Sequence, residues 1–241
     1  MLLLLGIDTS AKKGILCLGT KEKVLARKTI SPGQSSGELI PSLETLMKRE
    51  KIKNKDLQAV VVSLGPGSFT GLRVGLSLAK SLAFALKIPL VGVATLDSWV
   101  FFLLREGIFC ALRRAYGGKC YVGFYEKNQG KTTKIDRCRF LSFSQIKGSL
   151  EKFSPQKVTF LIPTQERELT KELKKIKNTS FLLLDEIFLI KALLTLGAER
   201  LKIGKIDNVF SLSPLYVSSP EVRIGRGNKD SRHEKRGHPG S

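Results

Sequence analysis

Apolar residues fall in short blocks through the first hundred positions, and their spacing changes from block to block. Leu2–Ile7 and Ile15–Leu18 are apolar runs separated by Asp8-Thr9-Ser10-Ala11-Lys12-Lys13-Gly14. That pattern predicts a hairpin with a long turn, and Val24–Thr29 adds a third strand. Leu39, Ile40, Leu43, Leu46 and Met47 then recur at helical spacing, behind Ser35 and Glu38 in the positions of a capping box. Pro41 lies too deep for a first-turn proline, so a bend is expected there. Ala59–Leu64 reads as a buried strand, Thr70–Leu86 as a second helix, Leu90–Val93 as a strand and Leu96–Leu104 as a third helix. Strands first, then helices alternating with strands, predict a mixed α/β lobe over residues 1–105.

A second lobe is expected over 106–217. Phe109–Leu112 and Cys120–Tyr125 read as paired strands around Gly117-Gly118, and Val158–Ile162 and Phe181–Leu184 as later strands. Leu169, Leu173 and Ile176 mark a basic amphipathic helix, and Ile187–Leu201 a further one. Residues 218–241 form a basic tail that loses apolar periodicity by Gly225, and disorder is expected there. No repeat of fixed period is visible.

Composition narrows the chemistry. The 241 residues carry 41 Lys and Arg against 21 Asp and Glu, a net charge of +20. Such a field attracts nucleic acid or other polyanions, although the charge is spread rather than gathered into one block. The four cysteines form no Cys-x-x-Cys pair, and both histidines, His233 and His238, lie in the tail. A zinc site of usual spacing and a histidine-based triad are thereby disfavoured. The run nearest to a membrane span, Thr70–Leu86, is interrupted by Arg73 and Lys80, so no membrane span is expected, and the cytoplasm is the expected compartment.

The stretch Gly65-Pro66-Gly67-Ser68-Phe69-Thr70-Gly71-Leu72-Arg73-Val74-Gly75 joins a strand to a helix, an order that can turn backbone N–H groups toward an anion. It lacks the lysine of a Walker loop. Gly65, Gly67, Ser68 and Thr70 are therefore candidates for lying near a nucleotide. Asp8 and Ser10 join them, as a carboxylate for Mg²⁺ and a hydroxyl for phosphate. The other reading of the same residues is a tight turn with a capped helix. No paired carboxylates, Gly-x-Ser-x-Gly elbow or His-Glu-x-x-His occur, so no catalytic or metal-ligating residue is assigned.

The second helix is apolar nearly all round. Gly71, Gly75, Ala79 and Ala83 form a small-residue stripe, and Leu72, Leu76, Leu82 and Leu86 fill much of the rest. Such a helix is buried on more than one side. One side meets the sheet; the other calls for the first helix or a second protein as cover. A protein-binding face is expected on Leu39, Leu43, Leu46 and Met47 of the first helix with Leu72, Gly75, Leu76, Ala79 and Ala83 of the second.

The chain resembles the bacterial TsaB (YeaZ) family in Ile7-Asp8-Thr9-Ser10, in the Gly65–Gly75 loop, in Gly92-Val93-Ala94-Thr95-Leu96 and in Pro214-Leu215-Tyr216-Val217. The likeness is dense in the first lobe and thin in the second. It implies a degenerate actin-like ATPase (ribonuclease H-like) fold of two lobes. It also implies a non-catalytic subunit that supports TsaD in forming N6-threonylcarbamoyladenosine beside the anticodon of tRNA. TsaD would bind through the first two helices, TsaE would supply an ATPase, and tRNA would be met through the complex. The exposed helix pair makes a homodimer plausible where TsaD is absent. No cofactor is then required by this chain alone, while ATP or ADP and Mg²⁺ belong to the assembly. An autonomous nucleotide-hydrolysing or sugar-phosphorylating enzyme is the competing reading of Asp8, Ser10 and the loop. The sequence departs from the family in Ser35, where a histidine is common. It departs again in Arg114-Ala115-Tyr116-Gly117-Gly118-Lys119-Cys120-Tyr121, where acids have become basic.

Overall fold

Alternation along the first strand sets the layers of the computed structural model, which describes residues 2–30 and 35–217, without the side chains of Ser35 and Ser36. In β1 (Leu4–Asp8), Leu5 and Ile7 point to one side of the sheet and Leu4 to the other. With β2 (Gly14–Gly19), β3 (Val24–Ile30), β4 (Ala59–Gly65) and β5 (Leu90–Ala94) it forms a sheet of order β3-β2-β1-β4-β5. The β1–β2 and β2–β3 pairs are antiparallel, and β1–β4 and β4–β5 are parallel. Helices α1 (Ser35–Arg49) and α2 (Phe69–Leu86) cover one face, where Leu39, Leu43, Leu76 and Ala79 pack on Leu5, Ile7, Val60 and Val62. Helix α1 runs on through Pro41.

The second sheet repeats this topology, although no sequence repeat announced it. It comprises β6 (Gly107–Arg114), β7 (Cys120–Asn128), β8 (Lys131–Lys134), β10 (Val158–Pro163) and β11 (Thr179–Leu184), in the order β11-β10-β6-β7-β8. Short β9 (Arg139–Leu141) also pairs with β7. Strand β6 thus stands where β1 stands in the first sheet, and β10 where β4 does. Helices α4 (Phe143–Leu150) and α5 (Leu169–Leu173) cover its outer face, with Ile146, Leu150, Leu169 and Leu173 on Ile108, Cys110 and Phe160.

The two remaining helices cross over. Helix α3 (Thr95–Phe102) follows the first sheet, yet Leu96, Trp99 and Val100 pack on Phe109, Ala111 and Tyr125 of the second. Helix α6 (Glu186–Lys202) follows the second sheet, yet Ile190, Leu193, Leu194 and Ala198 pack on Leu4, Cys17, Val61 and Val91 of the first. The expected second lobe over 106–217 is therefore too long. Its sheet and outer helices end at Leu184, and α6 with the segment behind it returns to the first sheet. That segment pairs at Leu90 and Asp207, and the Asp207 carboxylate accepts a 2.7 Å hydrogen bond from the Gly92 N–H. The expected tail over 218–241 and the Ser35 cap lie outside the described residues.

By length and composition α2 could cross a membrane, yet here it is a helix of the first sheet's outer layer. Four free thiols lie in or beside the cores. Burial pushes Cys17 and Cys120 up to about 12 and Cys138 up to about 11. A thiol reagent at pH 8 is expected to modify the folded chain slowly, with half-buried Cys138 first. All four should react at once in denaturant, where ordinary thiols are partly ionised. Rapid labelling of Cys17 in the native chain would contradict this packing.

Candidate functional site

Because β1 and β6 hold equivalent places, their C-terminal turns face each other across a cleft of about 1040 Å³. One wall is the β1–β2 turn with Ser10, Lys12 and Lys13. The opposite wall is the end of β6 with Arg113 and Arg114, Tyr116 of the β6–β7 turn, and Glu166 and Glu168 beyond β10. Gly67, Ser68 and Thr70 also line the cleft, as does Tyr216.

The small-residue stripe admits another backbone, and that backbone is the β1–β2 turn. A Cβ on Gly67 would run into the Ser10 carbonyl oxygen, on Gly71 into the Thr9 carbonyl oxygen, and on Gly75 into the Thr9 hydroxyl. The bare backbone of α2 therefore seats the β1–β2 turn directly. The Ser68 N–H donates to the Ser10 carbonyl at 2.8 Å, and the Ser68 hydroxyl caps α2 by accepting from the Gly71 N–H at 3.2 Å. Gly65, at φ +100°, occupies the left-handed region that favours glycine. Close approach of the β1–β2 turn thus accounts for Gly67, Gly71 and Gly75, and a backbone turn for Gly65.

The glycine loop and the Pro214–Val217 motif meet at the end of β4. The Leu215 N–H donates to the Leu64 carbonyl at 2.8 Å, at the end of β4. Tyr216 stacks on Phe69 with ring centres 5.0 Å apart, and its hydroxyl accepts from Arg73 Nε at 3.0 Å. Lower on α2, Phe210 packs edge-on against Phe84, and Lys80 donates to the Phe210 carbonyl at 3.1 Å. This strap, residues 203–217, is a cover for α2 that helical spacing could not reveal.

The expected partner face is corrected accordingly. Leu39, Leu43, Leu46, Met47, Leu72, Gly75, Leu76, Ala79 and Ala83 are all buried within the chain itself. Gly71 and Gly75 serve the hairpin turn, and the leucines serve the first sheet. The outward surface of the pair presents other residues, with Ile40 56% and Phe84 63% exposed.

At the cleft floor a polar chain links the lobes. One Asp8 carboxylate oxygen accepts from the Ser10 N–H at 2.9 Å and from the Ser10 hydroxyl at 2.5 Å. The Ser10 hydroxyl in turn accepts from an Arg113 terminal nitrogen. Arg113 is 2% exposed, its guanidinium lies 5.1 Å from the Trp99 ring centre, and its Nε stands 3.8 Å from the Glu166 carboxylate. Glu166 also accepts from the Arg114 N–H at 2.6 Å. Burial raises the Glu166 pKa above the ordinary value, and Arg113 opposes that rise.

Asp8 is engaged by Ser10, the equivalent position on the facing strand carries a guanidinium, and the loop N–H of Ser68 is taken by the hairpin. Of the six residues expected near a nucleotide, Ser10, Gly67, Ser68 and Thr70 line the cleft. Asp8 lies behind Ser10, and Gly65 supports the strand end. Sequence reasoning missed Arg113 and Glu166. A signal for Arg113 was present, since it shares strand parity with the inward Phe109 and Ala111.

Two sheets of one topology, joined by crossed helices around a cleft, define the actin-like two-lobed fold. The structure matches YeaZ from Pseudomonas aeruginosa with a TM-score of 0.68 at 20% identity, over 90% of this chain and 100% of that one. A family model described as TsaD: tRNA N6-adenosine threonylcarbamoyltransferase matches residues 22–181. The curated tRNA threonylcarbamoyladenosine biosynthesis protein TsaB of Bacillus subtilis is 31% identical over 134 residues, 55% of this chain and 58% of that protein. Its counterpart in Escherichia coli is 30% identical over 93 residues, 39% of this chain and 40% of that protein. The chain belongs to the family that this model describes, and its curated relatives in these two organisms are TsaB proteins. The match spans under two thirds of the length of these curated relatives.

Proposed function

We propose that the chain is an accessory subunit in the formation of N6-threonylcarbamoyladenosine in tRNA, acting by binding TsaD rather than by chemistry of its own. The observation that carries this reading is the likeness to curated TsaB proteins, 31% over 134 residues and 33% over 131 residues. ATP or ADP and Mg²⁺ would then belong to the assembly rather than to this chain alone. TsaE and tRNA would be met through the complex.

The contact surface on this reading is the outward side of α1 and α2. Ile40 and Phe84 are its large apolar side chains, and exposed Phe210 of the strap continues it. Large exposed apolar groups on one surface are a common mark of protein contact. Co-purification with TsaD from the same source tests this. Ile40→Glu with Phe84→Glu should weaken the complex at least tenfold while leaving the thermal midpoint of the lone chain within a few degrees. Unchanged complex formation by that double variant would defeat the assignment of this surface. Gly75→Leu is unsuited to the test, because it strikes Thr9 inside the fold.

A further inference from the structure

We propose that the open edge of β11 pairs with the same edge of a second copy of this chain, joining two second sheets across a two-fold axis. The two sheets end in the strands β3, β5, β8 and β11. Strand β3 carries Arg27 and Lys28, and β8 carries Lys131 and Lys134. Charges of this kind keep an edge from pairing with another chain. The edge of β5 is covered, since Asp207 bridges to Leu90 and its carboxylate accepts from the Gly92 N–H. Strand β11 holds the place in the second sheet that β5 holds in the first, but among the described residues no returning segment pairs with it. Its sequence, Thr179-Ser180-Phe181-Leu182-Leu183-Leu184, has no charge and no proline, and Leu183 is 43% exposed.

The backbone sets which groups face outward. The Val158 N–H donates to the Asn178 carbonyl at 3.1 Å, on the side of β10. Alternation then turns the N–H and C=O groups of Thr179, Phe181 and Leu183 away from β10. In an antiparallel pair such residues exchange both hydrogen bonds, and a two-fold axis normal to the sheet sets residues of one parity opposite each other. Charge selects the register. Lys174, Lys175 and Lys177 precede the strand, and Asp185 and Glu186 follow it. With Phe181 opposite its own copy, Thr179 meets Leu183 and Lys177 meets Asp185 of the second copy. The register centred on Leu182 sets Lys177 against apolar Ile187 instead. Lys175 already pairs with Glu172, and Glu186 with Arg27. Lys177 and Asp185 are exposed and have no ion pair among the described residues. Asp185 uses one carboxylate oxygen to cap α6 and keeps the other. A second copy is therefore a strand whose ends carry the complementary charges. The inference goes beyond the TsaD reading and uses none of its surface.

Sedimentation velocity of the full chain tests this at an ionic strength of about 0.15 M, where a Debye length of about 8 Å damps repulsion between two +20 copies. A dimer with a dissociation constant of about 1–50 µM is expected, since one strand pair buries less than a standard interface. Leu183→Lys should weaken it at least tenfold by charging the edge. Leu183→Pro should do the same by removing an outward N–H while leaving the β10 ladder whole. Lys177→Glu should weaken it by setting an acid against Asp185, and an unchanged constant there overturns the register. Ile40→Glu with Phe84→Glu should change it by less than twofold. Circular dichroism checks that the variants fold, and Leu183→Lys decides if the proline variant does not. The proposal is overturned by a chain that stays monomeric at about 100 µM. It is also overturned by a dimer that Leu183→Lys leaves intact, by one that the Ile40 and Phe84 changes abolish, or by mass that grows past two copies with concentration. The measurement uses the chain alone, so its failure leaves the TsaD reading untouched.

Discussion

Gly71→Ala is expected to lower stability by about 2–3 kcal/mol, despite placing the best helix former in a helix. Alanine normally gains about 0.5–1 kcal/mol over glycine at such a position. Here the added methyl group meets the Thr9 carbonyl oxygen, a backbone atom that cannot rotate aside. Relief requires moving the β1–β2 turn or tilting α2, and forced overpacking costs about 1–3 kcal/mol or more. Gly37→Ala in α1 is the matched control, since a Cβ there meets nothing within 4 Å. That control should be neutral or gain a few tenths of a kcal/mol. Denaturant unfolding of both variants checks the contrast. If Gly71→Ala is as stable as the parent, the hairpin does not rest on α2 as described.

Arg113→Met is expected to cost about 3–5 kcal/mol at pH 7, because it leaves Glu166 buried and charged without its counter-ion. The double variant Arg113→Met with Glu166→Leu should recover most of that loss, since the pair is then replaced by apolar groups. The pH dependence has a definite sign. Burial raises the folded-state pKa of Glu166, and removing Arg113 raises it further. The folded variant thus holds a proton that the unfolded chain releases near the ordinary value. Its deficit is small below that value and grows as pH rises toward the folded pKa. Unfolding curves at pH 4 and pH 7 should show the gap between Arg113→Met and parent narrowing at the acid end. An equal gap at both pH values would assign the loss to packing against Trp99 instead.

The strands and helices of the first lobe were legible because each carries a strong local pattern. Leu4 to Ile7 and Ala59 to Leu64 are short, bounded apolar runs, and α2 is long and periodic. What escaped was everything fixed by distant contact. The 203–217 strap lacks periodicity, yet Leu215 pairs with the end of β4 and Phe210 rests on Phe84. Its absence from the sequence reading made α2 look short of cover and led to a partner face on residues that are in fact internal. Strands β8 and β9 and helix α4 were missed because Lys131–Lys134 has no apolar residue, Arg139–Leu141 is only three long, and Phe143–Leu150 has only three large apolar residues, Phe143, Ile146 and Leu150, among polar ones. The cleft was half visible: Asp8 and Ser10 stood out as chemistry-bearing, while Arg113 looked like one cation among 41. Only the equivalence of β1 and β6 brings it opposite Ser10.

The crossing of α3 and α6 bears on how the chain is made. The first sheet has all five strands once Ala94 has been synthesised, but α6 ends at Lys202. At translation rates of about 5–20 residues per second, roughly 5–20 s separate the two. Through that interval Leu4, Val61 and Val91 await their cover while the second sheet is built. One face of the first sheet therefore gains its helix only after the whole second sheet has been made.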